Sequence, residues 1–379
     1  MKSFTKALDI LKEAVDARRI PGANVLVFKN GKEVCYLEDG YADIENEIPI
    51  ERDTIFRLFS MTKPITGAAA MILFQNGQID LHEPISNYLE GFSHQVVTGQ
   101  DILEQVKQEA TIFNLLSMTS GLQYDIPEVA AVFDEAILKG LSTIEVAERL
   151  GRCPLAFHPG ERFRYGTSAD VMGAVIEAAS GERFGQFLRD QIFSPLDMPD
   201  TRFYVPRKKQ DRLAKTYEET GSDMIEDTNA YLGISPRLED PPTYELGGAG
   251  LASTVDDYMN FAQMLLNEGS WQGKRILEKK ICRKFTSSQI TEAMEKDLED
   301  AWGGLYAGFG YGNYLRIMKN PGRSPFLTSK GEYGWDGLLG VHFANFPKEK
   351  ISFVFMTQRS ASGTLAVTRK VRNAILAAL

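Results

Sequence analysis

The stretch RLFSMTKPIT, residues 57–66, puts Ser60 three residues before Lys63 with Pro64 directly behind them. From Ile65 to Gln75 the apolar residues Ile65, Ala68, Ala69, Ile72 and Leu73 recur at helical spacing and Gly77 supplies a stop, so the pattern predicts a helix with one buried face. Pro64 suits such a helix only in its first turn, where N–H groups are unpaired, and it disfavours helical geometry at Lys63. Ser60 therefore belongs at the N-terminal end. Residues three apart in a helical turn share a face, which brings the lysine amine within reach of the serine hydroxyl. The positive end of the helix dipole favours an alkoxide there and the neutral, basic form of the lysine. Two readings stay open for the pair alone: a surface helix start, or the nucleophile and base of a hydrolase. The spacing is common enough that the chain carries it twice, and the other copy, Ser3 to Lys6, reads as solvated surface on an amphipathic N-terminal helix.

Outward from this stretch the chain divides into three parts. Phe4, Leu8, Leu11 and Val15 give the first helix its apolar face. Residues 21–43 then form two apolar runs joined by Asn30-Gly31, the strongest short-range signal for a hairpin. Between about residues 80 and 244 helical patterns dominate, over 112–118, 128–138, 143–150, 169–179 and 183–192. Strand character returns at 309–317, 338–346 and 351–357, and a helix over 364–379 closes the chain on Val367, Val371, Ala374 and Ile375. This order predicts one α/β domain built from residues 1–78 and 245–379, with a mainly helical domain, 79–244, between its halves and the site at their junction.

Composition excludes several functions. The 379 residues are 43% hydrophobic and 25% charged, with a net charge of −9, so no basic excess is available for nucleic acid or an anionic membrane. A small-molecule or peptide substrate is the expectation. The first residues do not read as a signal peptide, and no run approaches the length of a membrane span. Cys35, Cys153 and Cys282 are odd in number and far apart, as suits reduced thiols in the cytoplasm. His82, His94, His158 and His342 lack metal-ligand spacing, and the glycine run 247–250 lacks the lysine of a phosphate loop, so neither a metal nor a cofactor is expected. No G-x-S-x-G elbow is present either.

Two later stretches are candidate partners for Ser60. In FHPGERFRYGTSADVMGAVIE, residues 157–177, a Pro-Gly turn and a short extended piece deliver Tyr165 just before a helix. A core tyrosine is the alternative reading. In EYGWDGLLGVH, residues 332–342, glycines precede an apolar strand and allow a ligand close to its backbone.

SMTK at 60–63, Tyr165 in FRYGT, and WDG at 335–337 before a strand resemble the three boxes of the serine β-lactamase and penicillin-recognising superfamily. Within it the chain is most similar to the class C β-lactamase-like carboxylesterases known as family VIII. Supporting stretches are IFNLLSMTSGL at 112–122, the PGE run at 159 and FVFMTQ at 353–358. The resemblance implies a five-stranded antiparallel sheet flanked by helices and packed on a helical domain. By the same carry-over Ser60 is acylated, and Lys63 and Tyr165 form its proton-transfer network. The backbone N–H groups of Ser60 and Leu338 form the oxyanion hole, and Trp335, Asp336, Gly337 and Thr167 face the substrate. A second W-G-G at 302–304 is not followed by a comparable strand, so Trp335 is preferred as the third box.

Two departures bear on substrate. Lactamases and peptidases of the superfamily usually carry Tyr-x-Asn and Lys-Thr-Gly, whereas this chain has Tyr165-Gly-Thr167 and Trp335-Asp336-Gly337. The substrate-carboxylate lysine is missing, and Asp336 would set an anion in its place if the strand register turns it toward the site. The expectation is hydrolysis of a neutral carboxylic ester. Open alternatives are a β-lactamase or D-amino-acid amidase, an acyltransferase, and a non-catalytic ligand-binding relative.

Overall fold

The computed structural model describes residues 4–98, 103–221, 223–360 and 363–379; Ser3 of the second S-x-x-K copy lies outside them. Eight strands form one antiparallel sheet: β1 (Gly22–Lys29), β2 (Lys32–Asp43), β3 (Ile48–Pro49), β4 (Phe309–Gly312), β5 (Leu315–Met318), β6 (Tyr333–Asp336), β7 (His342–Phe346) and β8 (Ile351–Thr357). Their spatial order is β4-β5-β6-β7-β8-β1-β2-β3, so β8 and β1 from opposite chain ends pair at the centre, Val25 opposite Phe355. Asn30 and Gly31 both adopt left-handed backbone, φ 53° and 73°, as the expected two-residue hairpin requires.

Alternation divides the sheet's side chains between two cores. One face, with Val25, Val27, Phe353 and Phe355, packs under α1 (Thr5–Asp16) and α11 (Ala366–Ala378). The other, with Leu26, Trp335, Phe343 and Val354, joins the large cluster around α2 (Thr62–Gln75) and α8 (Val255–Leu266). That cluster continues into α3 (Ile112–Leu116), α4 (Pro127–Lys139), α5 (Thr143–Gly151), α6 (Ser168–Ser180) and α7 (Phe184–Leu188). Among the described residues no helix is long and apolar enough to cross a membrane.

The fold class is the expected one, with four differences of detail. The sheet has eight strands, not five, partly because the run at 309–317 is two strands folded at Asn313 and Tyr314, both left-handed at φ 51° and 65°. The third box ends a strand of its own, β6, and the next begins only at His342. Between them the Gly337 N–H donates to the Val341 carbonyl at 2.8 Å, closing a tight turn. Helix α2 is buried on all sides from Thr62 to Leu73, whereas the pattern predicted one buried face. Helices α8, α9 (Lys279–Phe285) and α10 (Glu292–Ala301) were not anticipated, although Thr254 and Thr291 cap α8 and α10 through the Asp257 and Met294 N–H groups.

The register of β6 settles which way Asp336 points. Gly334 lies opposite Arg316 on β5, and Asp336 lies opposite His342 on β7, so these residues share the face turned toward α11. Trp335 occupies the other face, toward α2. The Asp336 carboxylate accepts the Arg316 guanidinium at 2.9 Å, the Tyr306 hydroxyl and His342 Nδ1, all buried. Asp336 therefore does not face the substrate, contrary to expectation, and its charge is neutralised within the sheet. Nearby, Glu332 pairs with Arg372 of α11.

Burial works against the Asp336 anion, but Arg316 and His342 outweigh it and hold the carboxyl well below the usual range. Burial pushes His342 down, against Asp336, so the imidazole is neutral and donates its Nδ1 proton. Both shifts have one consequence in acid. The unfolded chain binds protons on histidine below about pH 6.5 and on aspartate below about pH 3.9, where the folded protein resists both, so stability falls as pH drops. Removing one partner of a buried charged pair costs about 3–5 kcal/mol. Asp336→Asn is therefore expected to lose stability of that order in urea unfolding at pH 7, with a shallower decline between pH 5 and 3 than wild type. A loss under about 1 kcal/mol would contradict the assignment.

Candidate active site

Ser60 lies in a 3₁₀ turn, Phe59–Met61, that runs straight into α2, and Pro64 falls in the helix's first turn as expected. Phe59 carries φ +43°, a left-handed backbone rare for a bulky residue, immediately before the serine. Its ring packs edge-on against Tyr231 at 6.0 Å and beside Ala249 and Leu339, which hold the turn in place.

The flanking backbone is clamped at nearly every residue. The Gln358 side-chain amide accepts the Arg57 N–H at 3.1 Å and donates to the Arg57 carbonyl at 3.1 Å, so the final residue of the FVFMTQ stretch pairs with the approach to Ser60 like a strand. The Leu58 N–H donates to Leu251 at 2.8 Å, Tyr258 donates to the Met61 carbonyl at 2.9 Å, and the Thr62 hydroxyl accepts the Leu251 N–H at 3.2 Å. A serine so placed has little freedom to drift from its base.

Lys63 is 1% exposed. Its amine donates to Ser60 Oγ at 3.2 Å, to the Gly248 carbonyl at 2.8 Å and to the Tyr124 hydroxyl at 3.4 Å, three acceptors for three N–H bonds. Tyr165, half-buried, presents its ring face to Lys63 at 4.7 Å, while its hydroxyl accepts the Trp335 indole N–H at 3.3 Å. The geometry thus joins Ser60 to Lys63 directly and sets Tyr165 against Lys63 through its ring; the hydroxyl beside the amine is that of Tyr124.

Sequence reasoning passed over Tyr124, Asp170 and Gly248. Tyr124 follows the stretch at 112–122, where α3 is held by a reciprocal Thr111–Asn114 cap and the Leu122 carbonyl sits so near Gly166 that a Cβ there would clash at 2.1 Å. Asp170, in the first turn of α6, accepts the Tyr124 hydroxyl at 2.7 Å and the Gly248 N–H at 2.8 Å. The glycine run at 247–250, which lacks the lysine of a phosphate loop, threads between α2 and α6. A Cβ on Gly247 would meet the Ala169 carbonyl at 2.3 Å and one on Gly248 the Asp170 carboxylate at 2.5 Å. Only glycine fits there.

The remaining expected residues are distributed unevenly. Gly337 approaches Leu58 so closely that a Cβ would lie 2.3 Å from its carbonyl oxygen, which brings the end of β6 onto the nucleophile's turn. Leu338 follows it, 37% exposed. Thr167 is wholly buried at the head of α6 and offers a substrate no surface, so the expected contact is absent. Trp335 is 2% exposed, covered by Tyr165, Tyr306, Tyr311 and Trp302. Trp302, set aside as a mimic of the third box, stands partly exposed, edge-on to Tyr165 at 5.3 Å. Long-range packing put it there, and no local pattern announces it.

Comparison with known proteins agrees with this arrangement. Residues 8–378 match the beta-lactamase family. Protein Rv1367c of Mycobacterium tuberculosis is 29% identical over 359 residues, covering 92% of this chain and 88% of that protein. Esterase EstB of Burkholderia gladioli is 26% identical over 398 residues, covering 99% and 96%. Among solved structures, EstCE1, described as a hydrolase with promiscuous acyltransferase activity, superposes with a TM-score of 0.84 at 26% identity, covering 98% of this chain and 97% of that one. With its serine and lysine in hydrogen-bond contact at a helix head, the chain belongs to the beta-lactamase family of serine hydrolases.

Proposed function

We propose that the protein is a cytoplasmic carboxylesterase that cleaves a small neutral ester through an acyl-enzyme on Ser60. The observation that carries this reading is the 3.2 Å contact between Ser60 Oγ and the buried amine of Lys63, in a site whose third box, Trp335-Asp336-Gly337, carries no lysine to serve a lactam's carboxylate. The charge of Asp336 contributes nothing to this preference, since Arg316 neutralises it on the sheet's far face. Similarity to Esterase EstB supports the ester, and the free, buried cysteines support a reducing compartment.

The reaction follows from the positions. Lys63, in its neutral form, takes the Ser60 proton as Oγ attacks the ester carbonyl carbon. Negative charge develops on the carbonyl oxygen, for which the resemblance assigns the backbone N–H groups of Ser60 and Leu338. Collapse breaks the bond to the alcohol, which leaves with the proton that Lys63 took from Ser60, a transfer in which the resemblance gives Tyr165 a part. Water then attacks the acyl carbon as Lys63 takes its proton, and Lys63 returns that proton to Ser60 Oγ as the acyl–Oγ bond breaks and the carboxylic acid departs.

A second reading, acyl transfer, is favoured by one observation: EstCE1 has that activity in addition to hydrolysis. Partially exposed Trp302 beside Tyr165 gives an alcohol acceptor an apolar surface to rest on. With a p-nitrophenyl ester and rising concentrations of a primary alcohol, transfer predicts growing yields of the new ester; product that stays entirely carboxylic acid rejects it.

For the principal reading, kcat/KM for p-nitrophenyl butyrate is expected to exceed that for nitrocefin by several orders of magnitude, and faster lactam turnover would overturn the ester assignment. Lys63→Met is expected to lower kcat on the ester about 10²–10⁴-fold, the range for general-base catalysis, with the fold intact by circular dichroism. Retention of more than a tenth of wild-type kcat would remove Lys63 from the base's role.

A further inference from the structure

Behind Lys63, on the side away from Ser60, lies a buried carboxylate that the ester mechanism above does not use. Asp170 is 3% exposed, and two routes connect it to the lysine. One is the Tyr124 hydroxyl, which donates to Asp170 Oδ2 at 2.7 Å and accepts from Lys63 Nζ at 3.4 Å. The other is the Gly248 peptide, whose N–H donates to Asp170 Oδ1 at 2.8 Å while its carbonyl accepts from Lys63 at 2.8 Å. Three separate segments thus converge on one lysine–carboxylate pair, and the close approach of Gly248 tolerates no side chain.

The bland reading makes Asp170 an ordinary acid in the first turn of a helix, placed to complement the dipole. Such residues are normally solvated. This one is enclosed, and both oxygens are spent on groups that also bind the catalytic amine, which a dipole alone does not require.

We propose that Asp170 is a positioning residue for the esterase reaction: as the counter-charge to Lys63, acting through Tyr124 and Gly248, it sets the pH at which the Ser60–Lys63 pair becomes active. The inference rests on the reading of Ser60 and Lys63 given above. The titratable groups that face Asp170 are Lys63 on α2, Tyr124 after α3, Tyr244 before the glycine run and Tyr314 at the β4–β5 turn; Tyr165 faces Tyr124. Burial pushes the Tyr124, Tyr244 and Tyr314 hydroxyls upward, so these stay neutral through the working range. Burial also raises Asp170, while Lys63, Tyr124 and the Gly248 N–H pull in the opposite direction by favouring its anion.

The sign follows from the charges. An anion favours the ammonium form of its neighbour, which cannot accept the serine proton. With the anion removed, the basic form persists to lower pH, and activity should extend further into acid.

The test is the pH profile of kcat/KM for p-nitrophenyl butyrate with wild type, Asp170→Asn and Tyr124→Phe, each checked for folding by circular dichroism. For Asp170→Asn the acidic limb should move to lower pH by about one unit or more, the effect of a close opposite charge. For Tyr124→Phe it should move the same way by less, since the carboxylate stays but loses a donor that favours its charge. If Asp170→Asn is not recovered folded, Tyr124→Phe decides alone. An acidic limb within 0.2 units (roughly the fitting error, well under the one-unit effect expected) of wild type in every folded variant overturns the proposal, whatever happens to kcat, because a merely structural residue lowers rate without moving the limb. A wild type that hydrolyses no ester would instead indict the esterase reading, and the two failures are told apart by that control.

Discussion

A lysine amine shut away from water is the constraint on which the rest of this structure depends. A buried cation is costly unless every N–H finds an acceptor and an anion stands nearby. Lys63 meets the first condition with Ser60, Gly248 and Tyr124, each from a different part of the chain. Asp170 meets the second at one hydroxyl's remove. The close contacts at Gly166, Gly247 and Gly248 follow from bringing those segments together, and so does the burial of α2 on every side. The site and the core are in this respect one problem: whatever loosens the packing around α2 also unsatisfies the amine.

Strand β6 solves a second problem by alternation. Adjacent residues on it, Trp335 and Asp336, face opposite ways. The tryptophan braces Tyr165 above the nucleophile, while the aspartate ties β5, β6 and β7 together beneath through Arg316 and His342. Tyr306 bridges the two faces, its ring against Trp335 and its hydroxyl on Asp336. The wall of the site is therefore anchored by charge on the side where no substrate arrives.

Much of this was legible in the sequence, and the failures have physical causes. Asn30-Gly31 announced its hairpin because a primed turn needs two left-handed residues, and that dipeptide adopts them cheaply. Asn313-Tyr314 does the same without glycine, so the hairpin of β4 and β5 looked like a single strand. The S-x-x-K spacing found Ser60 and Lys63 because both sit on one helical turn. Tyr124, Asp170 and Gly248 share no element with the lysine they surround, and only tertiary packing brings them to it. The orientation of Asp336 hung on a one-residue register, which composition does not encode. Its assignment to the substrate was wrong for that reason, and the argument against lactams built on its charge goes with it. Helix α8 escaped notice although Asp256, Asn260 and Gln263 form a polar stripe at helical spacing and Thr254 caps it.

The central claim is that the buried amine of Lys63 turns Ser60 into a nucleophile. A fluorophosphonate probe tests it most directly, with the adduct located by peptide mass spectrometry in wild type and in folded Lys63→Met. The account predicts a single adduct on the peptide carrying Ser60 and labelling slowed at least about 100-fold in the variant. An adduct on another residue, or equal labelling rates in the two proteins, would contradict it.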